Sequence, residues 1–149
     1  MTYQVTKTFG HELGLSACFR QWKADGHCKY LHGYALSFKF TFESDDLDAN
    51  HWVIDFGGLK QLKRRLIANF DHRLCIAADD PALVSLSELA DSYHLADPIV
   101  FKTVGCESFA KLAYDMAVSE VHNALLQNRV RVVSCECAEH GANSAIYKP

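Results

Sequence analysis

Between Gly26 and Leu36 the chain reads GHCKYLHGYAL, which sets Cys28, His27 and His32 within eleven residues and closes on His32-Gly33-Tyr34. Cysteine and histidine at this density serve as metal ligands or as a nucleophile with its base, because thiolate and neutral imidazole do both near neutral pH. Asp71-His72 follows an amphipathic stretch. Glu107 opens a long helical one, and Glu136 stands between Cys135 and Cys137 in an apolar run. Each has an ordinary reading: a helix end, a first-turn acid favoured by the helix dipole, a surface carboxylate.

Taken together these residues suit proton transfer. A thiolate paired with a histidine that a carboxylate orients can move protons to and from atoms beside a carbonyl. A glutamate in apolar surroundings is a bidentate acceptor for the N–H/NH2 edge of an amino-pyrimidinone ring such as guanine or pterin.

The elements that must position them follow from periodicity. Leu36, Phe38, Phe40 and Phe42 alternate with polar residues and read as a strand. The earlier VTKTFGHELGLSACFRQW is extended with glycine irregularities, SDDLDANHW is a polar turn, and VIDF reads as a short strand. GGLKQLKRRLIANF carries Leu59, Leu62, Leu66, Ile67 and Phe70 on one helical stripe, with its basic residues solvated. PALVSLSELADSYHL is a second, short helix. ESFAKLAYDMAVSEVHNALLQN is a long one, with Phe109, Ala113, Met116, Ala117, Val121 and Ala124 inward. RVRVVSCECAE finishes as a strand that buries Cys135 and Cys137 on one face. This order reads as α+β, with helices on one face of an antiparallel sheet.

The 149 residues, 49% hydrophobic, suffice for one domain spanning 1–149. A net charge of −3 without charge blocks argues against a nucleic-acid groove or a membrane surface. No apolar run approaches the roughly 20 residues of a membrane span. The N-terminal residues lack the apolar core of a signal peptide, so a cytoplasmic location and reduced cysteines are expected.

Five pieces in order carry a resemblance: CKYLHGY, VIDFGGLK, FDHRL, GCES and CEC. They are similar to the motifs of the 6-pyruvoyl-tetrahydropterin synthase / 6-carboxytetrahydropterin synthase family, over most of the chain. The resemblance implies the tunnelling fold: a four-stranded antiparallel sheet with helices on one face, closed between subunits into an oligomeric barrel, commonly a hexamer. It implies Cys28 as catalytic thiol, Asp71 and His72 as an acid/base relay, and Glu107 and Glu136 as anchors of a pterin ring. The implied reaction is a lyase reaction on dihydroneopterin triphosphate. The alternative is a divergent homologue that binds a pterin or purine-like ring without that reaction.

The family holds zinc with three histidines, one on the first strand and two in His-Gly-His. Here Phe19 and Tyr34 stand at two of those positions and only His32 remains. Zinc is therefore expected to be absent or held by a rebuilt site, with Cys18, His11, His27 and His140 as candidate ligands. Without it Tyr34, Arg20 or Lys29 must stabilise developing negative charge. The partners expected are a small pterin and other copies of the same chain.

Overall fold

The computed structural model describes residues 1–149 and contains seven strands and three helices. The strands are β1 (Tyr3–Phe9), β2 (Leu15–Phe19), β3 (His32–Ser44), β4 (Arg73–Ala77), β5 (Asp97–Phe101), β6 (Arg131–His140) and β7 (Asn143–Tyr147). The helices are α1 (Lys60–Phe70), α2 (Leu83–Tyr93) and α3 (Cys106–Asn123). No helix is long and apolar enough to cross a membrane.

β3 organises the sheet because its thirteen residues serve two neighbours on one side. Its first half pairs with β2 and its second with β1, both antiparallel. Strands β1 and β2 are thus one line broken at Gly10–Gly14, where Gly14 takes φ 74°, a left-handed conformation open to glycine. On its other side β3 pairs with β6, and β6 with β7. Counting the broken line once, these are the four antiparallel strands expected of the tunnelling fold. Beyond β2 the sheet continues in parallel through β4 and β5, two strands the periodicity did not disclose. Parallel neighbours need a crossover, and α2 supplies it.

The main core lies between the sheet and helices α1 and α3. It takes Leu15, Ala17 and Phe19 from β2, the aromatic row of β3, Cys135 and Cys137 from β6, and Leu62, Leu66, Phe70, Phe109, Ala113 and Ala117 from the helices. At about 25 cal/mol per Å² of apolar surface, each such side chain contributes roughly 1.5–3 kcal/mol on burial. Helix α2 departs from the expectation of helices on one face. Its Leu86, Leu89 and Ala90 line a cavity with Cys18, Gly33 and Leu74. These alternate with the core-facing Ala17, Phe19 and Cys75, so α2 covers the opposite face.

Other expectations shift for local reasons. VIDF is not a strand: Asp55 accepts the Gly57 N–H at 2.8 Å and turns Phe56–Leu59 into a single 3-10 turn. Ile67 and Ala124 are exposed rather than inward. Strands β3 and β6 are interior to the sheet, and the open edges belong to β1, β5 and β7.

Candidate active site

The register of β2 against β3 places Phe19 opposite His32 and Ala17 opposite Tyr34. Gly33 between them lets the strands approach, since a Cβ there would stand 2.7 Å from the Ala17 carbonyl oxygen. Residues two apart on a strand share a face, so Phe19, His32 and Tyr34 all project toward the helix side. Their rings form a triangle, with centroids 5.5 Å apart for Phe19–His32, 6.2 Å for Phe19–Tyr34 and 5.5 Å for His32–Tyr34. Phe19 is 2% exposed and meets Phe109 edge-on at 5.2 Å. The His32 Nδ1–H donates to the Tyr30 carbonyl at 2.6 Å, because a carbonyl only accepts.

Tyr34 faces three further groups. Burial raises its pKa first, and then the negative charge that Glu139, Cys28 and Cys106 carry when ionised. These neighbours come from three elements: Cys28 from the loop before β3, Cys106 from the start of α3, and Glu139 from the end of β6. His140 brings its ring to 6.0 Å from Tyr34. The Cys106 and Cys137 thiols are neighbours, and that proximity and burial push Cys137 well above the ordinary thiol range. Burial likewise pushes Cys75 up to about 12. Of the six cysteines only Cys28 is exposed.

The loop that presents Cys28 is tied down from several sides. Arg20 forks onto Asp80 at 2.6 and 2.8 Å and also donates to the Lys29 carbonyl at 3.3 Å. Gln21 N–H donates to the Cys28 carbonyl at 2.8 Å, and Gln21 Nε2 to the Val104 carbonyl at 2.5 Å. Trp22 and Lys23 both reach Asp79. Gly105 stands against Gln21 at φ 118°, where any side chain would collide with the Gln21 amide. These bonds fix the loop backbone around a free thiol. They also commit Arg20, one of the candidates for charge stabilisation, to Asp80.

The remaining residues singled out by sequence lie elsewhere on the chain. Asp71 ends α1 and accepts from His72 Nδ1 at 2.7 Å, with His72 in a left-handed conformation at φ 55°. His72 lines the cavity of about 410 Å³ under α2, beside Leu31, Gly33 and Cys18. Glu107 is exposed on the first turn of α3 and lines a separate cavity with Lys102, Thr103 and Tyr147. Glu136 points away from the core cysteines that flank it, and its Oε1 accepts the Ser144 hydroxyl at 2.7 Å. Within one chain, therefore, Cys28 gathers with Tyr34 and Glu139. Sequence reasoning passed over Glu139 and Cys106. The polarity of AEHG at the end of an apolar strand was the available signal for the first, and the place of the second inside GCES was the signal for it.

The family model for 6-pyruvoyl tetrahydropterin synthase matches residues 8–149. The chain belongs to the 6-pyruvoyl tetrahydropterin synthase family. It is 30% identical to the 6-carboxy-5,6,7,8-tetrahydropterin synthase of Aquifex aeolicus, with 99% of each chain covered. The enzyme of the same name from Rickettsia typhi is 41% identical over 54 residues, 36% of this chain and 39% of its own. Among solved structures, an uncharacterised protein from Wolinella succinogenes superimposes with TM-score 0.81 at 22% identity, covering 99% of this chain and 98% of its own. The 6-pyruvoyl tetrahydropterin synthase of Plasmodium vivax does so with TM-score 0.74 at 13% identity, covering 100% and 98%. These likenesses show the tunnelling fold.

The zinc of the family does not fit the donors at this position. Phe19 offers no lone pair, His32 supplies a single imidazole nitrogen, Nε2, and Tyr34 would have to ionise against a pKa that its surroundings raise. Catalytic zinc takes three protein ligands, and no group of three His, Cys, Asp or Glu is placed to hold an ion. The alternative ligands stand apart from one another. Cys18 points to the opposite face, His27 stacks on Tyr30, His11 is bonded to the Ala35 carbonyl, and His140 Nδ1 accepts the Ala142 N–H.

Proposed function

We propose that this protein is a lyase of the 6-carboxytetrahydropterin synthase type, acting on 7,8-dihydroneopterin triphosphate or a related pterin. The observation that carries the proposal is the end-to-end relationship to the Aquifex aeolicus protein. The placement of Cys28 supports it: an exposed thiol on a loop that seven side-chain and main-chain bonds tie down, near the half-buried Tyr34. The Cys28 thiolate removes a C–H proton from the substrate side chain. The electron pair so released forms the new double bond as triphosphate departs from the neighbouring carbon with its own pair. Asp71 holds His72 by its Nδ1, which leaves Nε2 to deliver or accept a proton.

In one chain His72 lines the α2 cavity, which Cys28 does not, and Cys28 lies near Tyr34 instead. The two act together when His72 comes from the partner subunit, in a homo-oligomer that closes the sheet edges and is most simply a hexamer. Glu107, Glu136 and Glu139 are the carboxylates available to grip the amino-pyrimidinone edge of the ring. The ring triangle in place of a metal site favours a second reading, a homologue that binds a pterin or purine-like ring without turnover. Incubation of purified protein with dihydroneopterin triphosphate, followed by chromatographic detection of released triphosphate and of the altered pterin, separates the two. Release at a rate above that of the Cys28→Ala variant supports the lyase; tight binding with no release supports the second reading.

A further inference from the structure

We infer that Phe19, His32 and Tyr34 keep the spacing of a metal cradle but work as a metal-free floor, on which the Tyr34 hydroxyl and the His32 Nε2 meet the side-chain oxygen of the ligand directly. The inference rests on the proposed pterin ligand for the identity of that oxygen, though not for the absence of metal. The spacing comes first. Three imidazoles around a tetrahedral ion, bound at 2.0–2.1 Å, have ring centroids about 5 Å apart. The observed 5.5, 6.2 and 5.5 Å are close to that spacing, so the backbone still gathers three rings at the dimensions of such a cradle. What has changed is the chemistry at the ring edges. Phe19 contributes only apolar surface and is locked against Phe109. His32 is fixed by its donation to Tyr30, so its neutral form presents a lone pair at Nε2. Tyr34 presents an O–H. The floor thus offers one donor and one acceptor, which suits a hydroxyl on a carbon with a C–H, its oxygen accepting from Tyr34 and its O–H donating to His32. Cys28, within electrostatic reach of Tyr34, is the neighbouring group for that C–H. In this arrangement Tyr34 is a catalytic residue, supplying by hydrogen bond the polarisation a cation would supply by coordination.

Two measurements test the idea independently. The first is equilibrium dialysis against zinc, with cobalt(II) substitution read by the visible band of tetrahedral cobalt, on the parent and on the Phe19→His/Tyr34→His double variant. The parent is expected to retain no stoichiometric metal, and the double variant about one ion per chain with the tetrahedral band. One zinc per parent chain that is lost in His32→Ala overturns the inference, and so does a folded double variant that binds no more than the parent. Phe19→His buries an imidazole beside Phe109. Should it not fold, Tyr34→His alone is expected to raise zinc affinity at least about tenfold by adding a second imidazole on the same face, and no gain overturns the cradle geometry. The second measurement is fluorescence titration with neopterin and with pterin lacking a side chain. Tyr34→Phe is expected to lose about tenfold in affinity for neopterin and none for the unsubstituted ring. Equal loss for both, or none for neopterin, removes Tyr34 from the ligand. If the parent binds neither pterin, the proposed function fails, and the dialysis still decides the metal-free floor.

Discussion

Cys28 differs from the other five cysteines in a way that chemistry can read. Cys75, Cys106, Cys135 and Cys137 are buried and Cys18 is half-buried. Burial raises the pKa of Cys18, Cys75 and Cys135, and with it the cost of forming the reactive thiolate. Iodoacetamide at pH 8 should therefore modify Cys28 first, and peptide mass spectrometry should find a single adduct on that residue while the fold is intact. Simultaneous labelling of Cys75 or Cys135 in folded protein would contradict the burial that sets them apart. If Cys28 removes the substrate proton, Cys28→Ser should lower kcat by roughly 10²–10⁴-fold, the usual share of general acid–base catalysis. A variant that keeps the parent kcat would exclude the thiol from the chemical step.

Among the elements, the segment from Arg20 to Leu31 has no regular structure beyond one 3-10 turn, yet it must hold Cys28 in place. The Arg20–Asp80 fork supplies much of that order by joining the segment to the turn between β4 and α2. Asp80 has a side chain only 1% exposed, and Arg20 retains 24%. Removing the arginine leaves a buried carboxylate with a single backbone partner, Ala82 N–H. Arg20→Ala should therefore destabilise the protein by about 2–3 kcal/mol, below the 3–5 of a fully buried pair because Arg20 is partly solvated. The Arg20 guanidinium, ahead of the Ala82 N–H, holds the Asp80 carboxyl below the usual carboxylate range. Since folding lowers this pKa, the stabilisation is complete above the unfolded value of about 3.9 and is lost as pH falls through the lower folded one. Thermal melts should show a clear Tm gap between parent and variant at pH 7 that narrows below about pH 4. A gap independent of pH would assign the loss to packing of the arginine stem.

For the whole molecule, the sheet leaves β1, β5 and β7 with unpaired edges. Exposed backbone donors and acceptors invite pairing between chains, and a closed ring removes them. Tyr3, Trp52 and Phe56 add exposed aromatic surface beside β1, lining a cavity of about 370 Å³. Light scattering at micromolar concentration should report a closed assembly of the 16.7 kDa chain, most simply a hexamer; a clean monomer would end this expectation. If catalysis combines Cys28 of one copy with His72 of another, Cys28→Ala and His72→Ala should each be inactive alone. Co-refolded in equal amounts, they should regain about a quarter of the parent activity, because a random ring assembles one intact site in four. No recovery in verified mixed oligomers would place both residues in one chain's site.

How much of this was legible beforehand depends on the range of the interaction. The alternation of Leu36, Phe38, Phe40 and Phe42, and the stripe of Leu62, Leu66 and Phe70, are local patterns, and they by themselves determined the long strand, the helices and the α+β class. The motif pieces likewise determined the family, because their order along the chain is a property of the sequence alone. The parallel strands β4 and β5 escaped notice, being short apolar runs whose partners lie across a helical crossover. The site divides in the same way. Cys28, His32, Asp71, His72, Glu107 and Glu136 were visible as residue types at motif positions. That Phe19 opposes His32, that Glu139 reaches Tyr34, and that Arg20 is spent on Asp80 across 60 residues were decided only by tertiary structure. Strand register and loop docking set these pairings, and neither leaves a mark on neighbouring residues in the chain.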